Sequence, residues 1–136
     1  MMIKSVLFSI FIVSYDILNA SENSIWVMSQ VSTNNHYKVD LQCDHPPTLS
    51  GFQSCSLNLH DKNVIITNAD IIIEGGMPEH HHGLPTSPKV IWDSQEKSYI
   101  INGLKFSMPG AWQLKFLIDK TKNLPRDIVT FNFQIK

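Results

Sequence analysis

The residue pattern predicts an all-β protein, an antiparallel β-sandwich of about seven strands. Three observations carry that prediction. Apolar side chains recur at every second position over most of the chain after residue 36, the period of a strand with one buried and one wet face. Turn-forming residues interrupt these runs about every ten residues, as short sandwich strands require. After Ala20 no segment sustains a 3.6-residue period.

The strands follow in order. Tyr37, Val39, Leu41 and Cys43 alternate with Lys38, Asp40 and Gln42, and Pro46-Pro47 ends the run. Cys55, Leu57 and Leu59 alternate with Ser56, Asn58 and His60, up to the turn Asp61-Lys62-Asn63. Ala69, Ile71 and Ile73 make the third strand, which Gly75-Gly76 interrupts, and Val90 and Trp92 the fourth. The fifth changes phase: Tyr99 and Ile101 share one parity, whereas Leu104, Phe106 and Met108 share the other. A one-residue slip sends every later side chain to the wrong face, so Asn102-Gly103 must hold a bulge or a tight turn. Pro109-Gly110 turns the chain into a sixth strand with Trp112, Leu114, Phe116 and Ile118 inward. Val129, Phe131, Phe133 and Ile135 close the sheet, while Trp26 and Trp92 suit core or surface equally.

The N-terminus reads as an export signal. Lys4 precedes the uncharged run Ser5–Val13, and Ala20 is a small residue at the expected cleavage point. The run is shorter than the roughly 20 apolar residues a transmembrane helix needs. Asp16 and Leu18 are imperfect for processing, which leaves an uncleaved anchor as the competing reading. With cleavage, residues 1–20 are a signal peptide and 21–136 a single domain without a membrane span. The 136 residues carry a formal net charge of −1, which disfavours nucleic-acid binding and a polybasic membrane patch. Cys43 and Cys55 are the only cysteines. Two cysteines in an exported chain read as a disulfide, and their separation matches no common zinc spacing. Both have inward parity on consecutive strands, so the bridge is expected between those strands, inside the core. It should contribute about 2–3 kcal/mol, mostly through the unfolded chain.

One segment carries chemistry: Gly75-Gly76-Met77-Pro78-Glu79-His80-His81-His82-Gly83-Leu84-Pro85, followed by Thr86-Ser87-Pro88. On an extended backbone His80 and His82 share a side, with His81 opposite. Pro78, Pro85 and Pro88 stiffen the loop, and Gly83 is expected to turn it sharply. Imidazole suits copper, zinc and nickel, and thioether favours Cu(I). Met77, His80, His82 and Met108 would make a mixed sulfur and nitrogen site suited to copper; His80, His82 and Glu79 alone would suit zinc or Cu(II). Two bland readings stand beside this one. The histidines can be solvated loop residues or hydrogen-bond inward to hold the loop, and Met77 and Met108 can simply fill gaps. His36, His45 and His60 are scattered. Catalysis finds no support: the chain has no G-x-S-x-G turn, no H-E-x-x-H, no glycine-rich phosphate loop and no recognisable carboxylate pair.

The segment Met77-Pro78-x-His80-x-His82-Gly83, then Pro85-Thr86-x-Pro88 and the later Met108-Pro109-Gly110-x-Trp112, resembles the YtkA-like group of small exported bacterial domains, and by extension FixH-like proteins. The resemblance spans roughly Tyr37–Ile135. It implies an immunoglobulin-like β-sandwich at the cell envelope, in the periplasm, with a loose link to copper handling and oxidase maturation. His81 departs from the small residue more usual between the two histidines. The expectation is therefore an exported, non-enzymatic domain that binds or delivers copper, with a metalloprotein or other envelope protein as partner. The alternative is an interaction module that uses the same stiff loop without metal.

Overall fold

The computed structural model describes residues 24–120, 123 and 125–136; the expected signal segment lies outside them. Ten strands follow in order: β1 (Trp26–Val31), β2 (Lys38–Cys43), β3 (Cys55–Asp61), β4 (Val64–Ile65), β5 (Asp70–Met77), β6 (His82–Gly83), β7 (Lys89–Asp93), β8 (Ser98–Asn102), β9 (Gly110–Asp119) and β10 (Asp127–Ile135). They form two antiparallel sheets. One has the order β1-β2-β3-β8-β7, with β4 beside β3; the other has the order β10-β9-β5-β6. The seven alternating segments are all strands, and β1, β4 and β6 are added to them. β1 escapes the pattern because it is an edge strand in which only Trp26 and Met28 are half-buried. β4 and β6 are two residues each, too short for any period.

The core is the set of inward positions. Val39, Leu41, Leu57 and Leu59 from one sheet meet Leu114, Phe116, Ile118, Val129 and Phe131 from the other, all essentially without solvent exposure. Burying each such side chain contributes roughly 1.5–3 kcal/mol. Phe106 meets Trp112 edge to face at 5.0 Å and Phe133 at 5.5 Å, and Phe133 in turn meets Trp26 at 5.4 Å, which seals one end of the sandwich.

The phase change falls where expected. β8 ends at Asn102, and Gly103 bends the chain with φ +82°. That left-handed conformation costs glycine little. Ile101 is buried before it, and Leu104 and Phe106 after it. The bend lies outside any strand pair and so is a turn rather than a bulge.

Cys43 and Cys55 face each other across β2 and β3 and form a disulfide, with Cα atoms 4.1 Å apart. The next pair outward, Asp44 N–H to Ser54 carbonyl, is hydrogen-bonded at 3.1 Å. The cysteines therefore occupy the close, non-hydrogen-bonded position of the ladder. Both are buried.

Asp127 latches the β1–β2 turn. It is 1% exposed, and its Oδ1 accepts the Asn34 amide at 3.1 Å and the Ile128 amide at 2.9 Å, while Thr33 N–H donates to the Ile128 carbonyl at 2.8 Å. His36 Nδ1 lies 3.6 Å from Oδ2. Burial pushes the Asp127 carboxyl up, but the nearby Ser32 hydroxyl, those two amides and the His36 charge outweigh it and hold it below the ordinary carboxylate range.

Two outcomes follow for stability. Replacing both cysteines by serine is expected to cost about 2–3 kcal/mol in urea denaturation. Because the Asp127 pKa is depressed in the folded state, its contribution is complete above the unfolded value of about 3.9 and is lost as pH falls through the folded value. Acid titration of unfolding should therefore show a stability decline below about pH 4, and Asp127→Asn should flatten it while lowering stability at neutral pH.

Candidate functional site

The histidine segment is the tip of a β-hairpin. Met77 stands opposite His82 and Gly76 opposite Gly83, and the Leu84 N–H donates to the Gly75 carbonyl at 3.0 Å. A 3-10 turn, Pro78–His80, and His81 in the left-handed region at φ 53° close the hairpin. Pro78 suits the first position of that turn because its fixed φ fits and its missing N–H would have no partner there.

Two sequence expectations change in detail. His80 and His82 do approach each other, with ring centres 6.5 Å apart and planes tilted by 32°, but the backbone between them is not extended. The tight turn and the left-handed His81 bring them together instead. Gly83 is a paired β6 residue, without the sharp turn expected of it. Gly75-Gly76 belongs to β5 itself. A Cβ on Gly76 would run into the His82 carbonyl oxygen, so glycine there lets the hairpin arms close.

The Met-Pro-Gly motif meets the hairpin from below. Met77 is 1% exposed, and its methyl group lies 2.6 Å from where a Cβ on Gly110 would stand. Gly110 has φ +128° and opens β9. Met108 is half-buried on the preceding turn, and its carbonyl accepts the Trp112 indole N–H at 2.9 Å. A cleft of about 430 Å3 joins the two motifs, with Pro78 on one side and Ala111, Trp112 and Phe133 on the other. The Met77–Gly110 contact is what sequence reasoning missed; its only trace was the repetition of Met-Pro in both motifs.

Met77 and His82 are ladder partners, but the Met77 side chain is buried toward the core whereas His82 is exposed. Among the described residues no three His, Cys, Asp or Glu side chains converge, so Glu79 does not complete a set with His80 and His82. His81 and His82 rim a separate hollow of about 300 Å3, with Glu74, Gln113 and Lys115, on the outer face of the sheet.

The remaining histidines lie elsewhere. His36 sits beside Asp127, and His45 contacts the Pro46 carbonyl at 2.9 Å. His60 Nε2 lies 3.6 Å from Asp40 Oδ2, and the Ser29 hydroxyl donates to Asp40 Oδ1 at 2.5 Å. That hydroxyl is held by the carboxylate and not by the imidazole, an arrangement that does not activate it as a nucleophile. Burial pushes the Asp40 carboxyl up, but the hydrogen bonds from Ser29 and Lys38 and the charges of Lys38 and His60 leave it lowered.

The YtkA-like family model matches residues 31–116, which include both Met-Pro motifs and the whole hairpin. The chain belongs to the YtkA-like family. The match ends in β9, short of the closing strand that the sequence resemblance had included. Comparison with curated proteins and with solved structures finds no significant match. In this YtkA-like domain the position between the two histidines, His81, is left-handed, a conformation that glycine takes freely and histidine only with strain.

Two substitutions test the hairpin. His81→Gly should raise stability by up to about 1 kcal/mol by relieving the left-handed strain. Gly76→Ala should lower it by about 1–3 kcal/mol by forcing the hairpin arms apart. Thermal unfolding of the metal-free protein reads both.

Proposed function

We propose that this YtkA-like protein is an exported, non-enzymatic domain that binds copper for carriage or delivery, with the β5–β6 hairpin as its site. The observation that carries the reading is the pair of exposed imidazoles, with ring centres 6.5 Å apart at the tip of a stiff hairpin, next to the ladder partner Met77. Metal–nitrogen bonds are about 2.0 Å long, so one ion is held by both imidazoles after a small approach of the rings with a nitrogen of each turned toward it. Two nitrogens and a thioether favour copper over zinc, which prefers four nitrogen, thiolate or carboxylate ligands. Met108, on the turn packed beneath Met77, is the further soft donor. The Cys43–Cys55 disulfide supports an oxidising compartment, and so export. A hairpin already closed by proline, paired backbone and the Met77 contact has little entropy left to lose on binding.

The test is titration of the oxidised protein with Cu(I) and with Cu(II) against a competing chelator, zinc serving as control. A one-to-one complex tighter than that of a free peptide spanning residues 77–83 is expected. The double substitution His80→Ala/His82→Ala should abolish it, and Met77→Leu should weaken Cu(I) more than Cu(II). Unchanged affinity in the double variant would overturn the reading, and affinity equal to the peptide would make the hairpin a surface for protein recognition.

A further inference from the structure

The sheet edge next to the hairpin is left open along β5. β6 pairs only with Gly76 and Met77. The Leu84 N–H bond to the Gly75 carbonyl identifies which β5 residues turn their backbone groups to this edge: Gly75 and, by the two-residue repeat of an antiparallel ladder, Ile73 and Ile71. Among the described residues, Ile71 and Ile73 have ladder partners only in β9, on the other flank of β5. The chain's own continuation approaches them, since β7 lies alongside β5, but it forms no ladder with them. Pro85 and Pro88 lack an N–H, and the Thr86 hydroxyl donates to the Gly103 carbonyl at 2.6 Å, which holds the crossover toward the other sheet. A groove of about 370 Å3 runs along the edge between Ile72 and Glu74 on one wall and Leu84, Thr86 and Lys89 on the other. Native proteins usually blunt such an edge with a bulge, a proline or a lysine; here β5 presents Ile72, 49% exposed, between the exposed Asp70 and Glu74.

We infer that this edge accepts an extended segment of a partner protein as an added antiparallel strand. The outer face of β5 reads acidic, apolar, acidic at Asp70, Ile72 and Glu74. Cross-strand neighbours of opposite charge and matching apolarity stabilise a pair, whereas like charges opposite one another oppose it. Across β9, Asp70 faces another acid, Asp119, which Arg126 already neutralises at 2.7 Å, so among the described residues no cation stands opposite Asp70 there, whereas Glu74 stands opposite Lys115. The segment that fits carries basic, apolar and basic residues at alternate positions, with uncharged residues between them, because Lys89 on the far wall repels a base there. Backbone pairing supplies affinity and the alternate side chains supply selectivity, the strand-addition mode of peptide recognition. The inference is independent of copper.

The probe is the blocked peptide Lys-Thr-Val-Thr-Lys-Thr, titrated into the isotopically labelled protein by NMR. Saturable binding is expected, with the Ile71 and Ile73 amides shifting and becoming protected from hydrogen exchange. N-methylation of the two threonines opposite Ile73 and Ile71 should weaken it about tenfold or more, the effect of losing two hydrogen bonds. Ile72→Lys and Glu74→Lys, both at exposed positions, should weaken it while leaving thermal unfolding in place. The inference fails if no amide shifts, if the N-methylated or the Glu-Thr-Val-Thr-Glu-Thr peptide binds as well as the parent, or if those amides are already protected in the free protein by a second copy or another segment.

Discussion

A strand's pleat lets a side chain point inward only at every second residue, and two sheets can share a dry core only if every strand keeps that phase. The whole domain is organised by this constraint. Strands β2, β3, β5, β9 and β10 each bring their apolar set to the interior without a break. Where the chain must change phase, after Ile101, a glycine at φ +82° resets it and Leu104 and Phe106 return to the core. The disulfide obeys the same rule. Cys43 and Cys55 are inward residues in direct register, so the bond joins strands the ladder had already placed together. It reinforces a register that packing sets.

The site end of the sandwich is assembled by a chain of contacts that begins at this bond. The disulfide closes the β2–β3 loop, and Gln53 in that loop donates its N–H to the Leu104 carbonyl at 2.8 Å while Phe52 pairs with Lys105. The same segment continues through Met108 to Gly110, against which the Met77 methyl rests. Met77 thereby ties the hairpin to the core, and packing alone gives it a role whether or not its sulfur meets a metal. The imidazoles remain outside, on a backbone held from two sides. Rigidity and exposure, which usually oppose each other in a loop, coexist here because the anchor is buried and the imidazoles are not.

Edges complete the picture. β1 is tied to β10 through Trp26–Phe133 and the Asp127 latch, so one side of the sandwich is closed by buried hydrogen bonds and aromatic packing. On the opposite side, although β7 lies alongside it, β5 is paired only where β6 runs. Its two residues end where the chain turns toward β7, because Thr86 and the flanking prolines commit the backbone to the other sheet. The proposed metal site at the hairpin and the unpaired edge of β5 are thus neighbours on one strand, β5, whose last residue is Met77.

Much of this was legible in the residues. Seven strands, the inward cysteines, the turn at Gly103 and the two Met-Pro motifs could all be read, since alternation, glycine and proline act locally and leave a local mark. β1 left no mark, being an edge strand with little to bury, and neither did β4 or β6, which exist only because a neighbour pairs with them. By itself the sequence determined the phase of each long strand, the disulfide partners and the residue types at the hairpin tip. The tertiary structure decided that His80 and His82 meet through a tight turn and a left-handed His81, that Met77 is buried against Gly110, and that β5 keeps an open edge. Each of these depends on backbone conformation and on which segments approach across the sandwich, and no periodicity along the chain encodes either.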